Sequence, residues 1–147
     1  MPVHGYQDLR VWQQGMRIAS AVLVMCRQLR KSERGLLAGQ LRRAAVSIPC
    51  NIAEGYGRDS RRDYVRFLSI ANGSLKELET LLLLCMSTRS LPASSAQPTL
   101  KDCDDLGRML GGLIRRLSAG GGSSAWRAPN AESPMPNAGV DSTDEID

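Results

Sequence analysis

Apolar positions recur every three to four residues along most of the chain, in four separate blocks. The first block carries two stripes side by side. One is Leu9, Trp12, Met16, Ala19, Leu23 and Cys26, and the other is Val11, Gly15, Ile18, Val22, Met25 and Leu29. At 100° per residue their centres lie roughly 110° apart, so the apolar face covers more than half of a helix. Arg10, Gln13, Gln14, Arg17 and Ser20 fill the remaining arc. A helix of a monomeric bundle needs one such stripe. The second calls for burial on another side, either in a subunit interface or deep inside its own bundle, and the interface is the favoured reading. Asp8 is the expected N-cap.

The second block runs through Leu37, Leu41, Ala44, Ile48 and Ile52, with small residues Ala38, Gly39, Ala45 and Ser47 between them. Pro49 interrupts it, because proline has no N–H for the carbonyl of Ala45 and its ring crowds that carbonyl. The period survives to Ala53, which predicts a kinked helix reaching about Tyr56, with Gly55 and Gly57 supplying left-handed C-terminal caps. Ser60 and Asp63 have capping-box spacing. They open the third block, where Tyr64, Leu68, Ala71, Leu75, Leu78, Leu82 and Cys85 form a seam of threes and fours. Residues Arg89 to Pro98 read as a loop, with Thr99 capping a fourth helix and Asp102 three residues on. Its seam is Cys103, Leu106, Leu110, Leu113 and Leu117. Gly107, Gly111 and Gly112 each cost about 1 kcal/mol relative to alanine there, so packing must hold that helix.

The predicted architecture is all-α: an up-down-up-down four-helix bundle over residues 1–118, with helices at about 8–30, 34–56, 60–88 and 99–118. Residues 119–147 are rich in Pro, Gly, Ser and Asn, and are expected to be a disordered acidic tail. Charge divides at the same place. Through Ser118 there are 18 Lys and Arg against 10 Asp and Glu, a net +8; beyond it one Arg faces five acids, a net −4. A basic body of this kind suggests an anionic partner, RNA or DNA first.

Little else in the sequence speaks for chemistry. The four cysteines form no C-x-x-C pair and there is one histidine, His4, so no metal site is expected. Cys26, Cys85 and Cys103 fall on apolar stripes and read as small core residues. No phosphate loop, H-E-x-x-H motif or nucleophile–histidine arrangement stands out, so neither catalysis nor a cofactor is expected. The longest apolar run, Leu81 to Met86, is far too short to span a membrane, and no secretory leader is evident, so the chain reads as cytoplasmic.

The arginines are more informative. Arg42 and Arg43 precede Pro49; Arg58, Arg61, Arg62 and Arg66 follow the two glycines. These six are the candidate phosphate contacts, because guanidinium groups bind phosphate oxygens in forked pairs. Arg115 and Arg116 end the fourth helix, where they also suit its dipole. The competing reading is a salt-bridged face, with Asp59 pairing Arg62 and Asp63 pairing Arg66. Tyr6 and Tyr56 have the chemistry to stack on bases, although packing is the favoured role for Tyr56. Asn51 and Glu54 are best read as architectural, satisfying groups freed by Pro49 and pairing a nearby arginine.

Three segments carry a family resemblance: Tyr6 to Gln13, Gln40 to Arg58 (QLRRAAVSIPCNIAEGYGR) and Tyr64 to Thr80 (YVRFLSIANGSLKELET). They resemble the bacterial four-helix-bundle proteins encoded in intervening sequences of 23S ribosomal RNA genes, the S23 ribosomal protein family. The likeness covers about Tyr6 to Leu117 and leaves out the tail. It implies a ring-like homopentamer. It also implies kinship of architecture with retroelement accessory variability proteins, which bind nucleic acid and a reverse transcriptase. The double apolar stripe of the first helix motivates a second function beside nucleic-acid binding: a scaffold that recruits a protein partner such as a polymerase or reverse transcriptase. The resemblance brings no catalytic residues. Cys50 stands where the family usually has serine, and the glycine-rich fourth helix is a further departure.

Overall fold

The computed structural model describes residues 4–120. Four helices carry the fold: α1 Arg10–Met25, α2 Gly39–Tyr56, α3 Arg61–Ser87 and α4 Ala93–Ala119. No strand occurs among the described residues. Each helix packs on its chain neighbours and α1 closes against α4, the α2–α3 contact being the most extensive. Register is antiparallel throughout. Gly15 of α1 meets Ile48 and Pro49 of α2; Gly55 of α2 meets Phe67 of α3; Gly107 of α4 meets Leu75 of α3. The Gln14 amide of α1 donates to the carbonyl of Asp102 in α4. This is the four-helix bundle that the pattern implies. The expected tail lies, beyond Gly120, outside the described residues.

The double stripe of α1 resolves into two different faces. Val11, Gly15, Ile18, Val22, Met25 and Leu29 are all buried. On the other stripe Ala19 and Cys26 are buried and Trp12 is half-buried, while Met16 and Leu23 are each 41% exposed. The bundle itself uses one stripe. The thiols of Cys26, Cys85 and Cys103 lie in the core and Cys50 lies on the surface, as their periodicity indicates. Burial pushes the Cys103 thiol up to about 12, with Glu79 and Asp102 adding to the shift.

Helix ends account for most departures from expectation. Asp8 does not cap α1. Leu9 occupies the N-cap, and the Asp8 carboxylate instead accepts the His4 N–H at 3.0 Å, around a 3₁₀ turn at Tyr6–Asp8. Between α1 and α2 the chain makes a 3₁₀ turn at Cys26–Gln28, a single α turn at Lys31–Glu33 and a π turn at Arg34–Ala38. Arg34 donates to the carbonyls of Leu29 and Arg27, and so serves as a cap for groups left over after α1.

α2 continues through Pro49 to Tyr56, as expected. Its glycines do not act as left-handed caps, however. Gly57 has φ −80°, and no glycine among the described residues has positive φ. Gly55 is needed for a different reason. A Cβ added there would sit 2.6 Å from the Cβ of Phe67 and 3.1 Å from the Tyr64 ring, so only glycine lets α2 and α3 approach this closely. Asn51 likewise serves the architecture, but not at the freed carbonyl of Ala45. Its amide donates to the Ser47 carbonyl and hydroxyl, and that hydroxyl meets the Ser74 hydroxyl of α3 at 2.8 Å.

The Ser60 cap of α3 forms as its spacing implies, the hydroxyl accepting the Asp63 N–H at 3.1 Å. The far end of α3 closes differently from α2. Arg89 takes φ 57°, and the Ser90 N–H reaches the Cys85 carbonyl at 2.8 Å, a Schellman closure built without glycine. The fourth helix starts at Ala93, six residues before the expected Thr99, and carries Pro98 inside. Thr99 is 4% exposed and does not cap. The buried line Ala96, Thr99, Cys103, Leu106, Leu110 keeps helical spacing, so packing nearly two more turns on the bundle outweighs the hydrogen bond that Pro98 forgoes.

Replacing Gly55 by alanine tests the α2–α3 approach. The Cβ collides with backbone-proximal atoms that cannot swing away, so a loss of about 1–3 kcal/mol is expected in denaturant unfolding, far beyond the small gain that Gly→Ala gives at an unhindered helix site.

Candidate nucleic-acid interface

The corner between α2 and α3 gathers charge because two helix ends meet there and a third arrives beside them. Arg58 follows the end of α2, and Arg61, Arg62 and Arg66 occupy the first turns of α3. The antiparallel return of α4 brings Arg115 and Arg116 to the same end. Arg61 lies against Gly120, just past the C-terminus of α4. Arg10, at the start of α1, shares a cleft of about 490 Å³ with Arg108 and Arg116, floored by Leu9, Met109 and Leu113. A smaller pocket of about 270 Å³ is walled by Arg61, Arg62, Val65, Leu117, Ser118 and Gly120.

Two of the six candidate arginines lie elsewhere. Arg42 and Arg43 are exposed on α2, but Arg43 sits about 20 Å of helix before Tyr56 at 1.5 Å per residue. The structure therefore brings Arg58, Arg61, Arg62 and Arg66 together and leaves Arg42 and Arg43 as a separate patch.

Neutralisation at the corner is slight. Arg58 pairs with Glu54 one turn back, both half-exposed, so this ion pair contributes little to stability. The Asp59–Arg62 and Asp63–Arg66 pairs of the competing reading do not form, and no carboxylate comes within ion-pair distance of Arg61, Arg62 or Arg66 among the described residues. Arg108, by contrast, is paired with Asp104.

Phe67 organises the corner from below. Its ring is 7% exposed, and the guanidinium of Arg58 stands 4.6 Å from its centroid while that of Arg66 stands 5.3 Å away. One ring thus holds two cations, each contributing about 0.5–1 kcal/mol at an exposed site. Under Phe67, Tyr56 and Tyr64 meet edge to face at 6.2 Å. Tyr56 is 2% exposed, which makes it a packing residue rather than a stacking platform. Burial raises the Tyr64 phenol to about 12, with Tyr56 adding to the shift. The ring beneath the arginines therefore stays neutral and offers them no counter-charge. Tyr6 is 37% exposed and packs edge-on against Trp12 at 5.4 Å.

Arg115 and Arg116 were visible in the sequence as a pair, but only the antiparallel path of α4 brings them to this end. Phe67 was not legible as a clamp, because its contact with Arg58 runs from α3 back to the connection before it. Among the described residues no group of three or more His, Cys, Asp or Glu side chains could hold a metal, and no helix is long and apolar enough to cross a membrane.

Residues 7–112 match the sequence profile of the 23S rRNA-intervening sequence protein family. Among solved structures, the chain is similar to that of a protein with unknown function from the S23 ribosomal protein family of Bacteroides thetaiotaomicron VPI-5482. The two share 23% identity with a TM-score of 0.68, over 71% of this chain and 98% of the other. At that identity the likeness shows the fold. No curated protein matches the chain.

Phe67→Leu keeps apolar volume while removing the ring that both guanidiniums face. Its expected cost is about 1–2 kcal/mol, combining imperfect repacking with two lost cation–π contacts. A thermal melt of the variant against the parent, repeated with Arg58→Gln and Arg66→Gln in both backgrounds, checks it. Non-additivity between Phe67 and each arginine is the expected signature.

Proposed function

The chain belongs to the 23S rRNA-intervening sequence protein family, and from that premise we propose that it is a non-enzymatic, homo-oligomeric, cytoplasmic bundle that binds nucleic acid through its arginine-lined end. The observation that carries the reading is the set Arg61, Arg62 and Arg66, without ion-pair partners among the described residues and joined by Arg115 and Arg116. A salt-bridged solvent face pairs such charges with acids at helix spacing; here Asp59 and Asp63 are at hand and stay apart from them. Unpaired guanidinium groups on rigid helix ends suit phosphate oxygens, and the affinity they give is sequence-independent and salt-sensitive. The family name makes RNA the first probe.

A second observation favours self-association, and with it the scaffold reading. Met16 and Leu23 lie exposed on the unused stripe of α1. The neighbouring α2, packed on α1 at Gly15 and Pro49, also exposes Val46 to 41%. An exposed apolar strip suits a subunit or protein contact. A ring built this way presents its arginine corners repeatedly, which serves either an extended nucleic acid or a recruited polymerase.

Two measurements decide between these outcomes. In a binding series over salt concentration, the affinity for RNA is expected to fall steeply. Arg61→Gln, Arg62→Gln and Arg66→Gln together should weaken binding at least tenfold and reduce the magnitude of the log–log salt slope by about 2–3, roughly one per lost phosphate contact. Absence of binding to RNA, single-stranded DNA and duplex DNA at low salt rejects the reading and leaves the scaffold. Arg42→Gln with Arg43→Gln reports whether the interface extends along α2.

Light scattering tests the assembly. A ring of five 16.0-kDa chains gives about 80 kDa. Met16→Glu with Leu23→Glu is expected to lower that mass to the single chain while the helical signal is kept. A monomeric parent at micromolar concentration refutes the interface.

A further inference from the structure

The described fold ends at Gly120, which is itself part of the wall of the Arg61–Arg62 pocket. Everything beyond is acidic: Glu132, Asp141, Asp144, Glu145 and Asp147 against the single Arg127. We propose that residues 121–147 dock in cis, their carboxylates on the arginine-lined end of the bundle around Arg61, Arg62 and Arg116.

Charge complementarity and the exit point argue for this together. The segment carries a net −4 and the body a net +8. The chain leaves the fold directly beside Arg61, whose guanidinium has no carboxylate partner among the described residues. Glu132 follows Gly120 by 12 residues, a span of at most about 40 Å when fully extended. The corner and the Arg10–Arg116 cleft are therefore within its reach. Tethering makes the encounter intramolecular, so contacts too weak to hold a free peptide can still be occupied. The other basic residues of α2, Arg42 and Arg43, lie farther from the exit point, and tethering favours the nearer site. Gly112 contributes no side chain to the cleft, and Arg10, Arg108 and Arg116 line it.

Docking in cis occupies the same arginines that the proposed function assigns to phosphate. The segment then acts as a built-in competitor that a nucleic acid must displace. This consequence rests on the nucleic-acid reading; the docking does not.

Trp126 lies between the exit point and the first acid, and with Trp12→Phe it becomes the sole tryptophan of the full chain. Its fluorescence anisotropy is expected to be high at about 0.01 M salt, where the screening length is ~30 Å, and to fall towards about 1 M, where it is ~3 Å. The same fall is expected at low salt when the five carboxylates are neutralised (Glu132→Gln, Asp141→Asn, Asp144→Asn, Glu145→Gln, Asp147→Asn). Arg61→Gln with Arg62→Gln and Arg116→Gln should reproduce it. Anisotropy indifferent to salt and to the carboxylates overturns the docking. A response to the carboxylates but not to these arginines overturns its location. In a second arm, without nucleic-acid ambiguity in the first, the carboxylate-neutralised chain is expected to bind RNA roughly tenfold more tightly at low salt. Equal affinity overturns the competition. If neither chain binds RNA, the functional reading fails while the anisotropy result still decides the docking.

Discussion

The missing side chain at Gly55 sets the geometry on which the rest of the corner depends. Any Cβ there would overlap Phe67, so its absence brings the end of α2 and the second turn of α3 into direct contact. Phe67 is thereby held at the surface edge of the core, where Arg58 from the α2–α3 connection and Arg66 from α3 both face it. Backbone proximity is thus converted into charge proximity. The Ser47–Ser74 hydroxyl pair maintains the same antiparallel register about two turns away, and the Ser60 cap fixes where α3 begins. Few interactions are involved, but together they determine which residues can meet.

The bundle's relation to its first helix is different. Its core is satisfied by one stripe of α1, from Val11 to Leu29, and the second stripe leaves Met16 and Leu23 in solvent. Burying a leucine or methionine side chain is worth about 1.5–3 kcal/mol. Exposed singly, such residues are ordinary; aligned on one helix face, they form a strip that association would cover. The exposed apolar strip and the arginine end are therefore separate on the surface, one along the helices and one at their tips.

Periodicity made much of the fold legible. The third helix could be read almost residue by residue, since Tyr64 to Cys85 keep one seam and every member is buried. The kinked second helix was legible because its pattern runs past Pro49. Helix ends were harder, because side chains from elsewhere decide them. Asp8 looks like a cap but is engaged by His4. Thr99 looks like a cap but lies on a buried line that Ala96 had already begun. Gly55 was marked as special in the sequence, but for the wrong reason: backbone freedom and close approach both favour glycine, and only a neighbour in space tells them apart. The site followed the same rule. Four arginines close in sequence share the corner, while Arg42 and Arg43 are carried away by the length of α2.

The proposed role of the corner bears on where its charges stand on α3. A helix N-terminus carries the positive end of the macrodipole, and acids there are favoured by about 0.3–1 kcal/mol. Asp63 obeys this rule, but Arg61 and Arg62 precede it in the same turn. Arg62 and Arg66 then repeat at i and i+4, a like-charge spacing that costs another few tenths of a kcal/mol. Arg115 and Arg116, favoured by the C-terminal dipole of α4, add their charge to the same end. For the isolated bundle, Arg61 and Arg62 are thus placed at a small cost, while Arg66 is offset by its place over the Phe67 ring. An anion bound there reverses the sign of each term, because it meets the helix dipole, the guanidinium forks and the converging like charges at once. The placement of Arg61 and Arg62 costs the isolated bundle a little and would suit an anionic ligand, whether a phosphate backbone or the chain's own carboxylates.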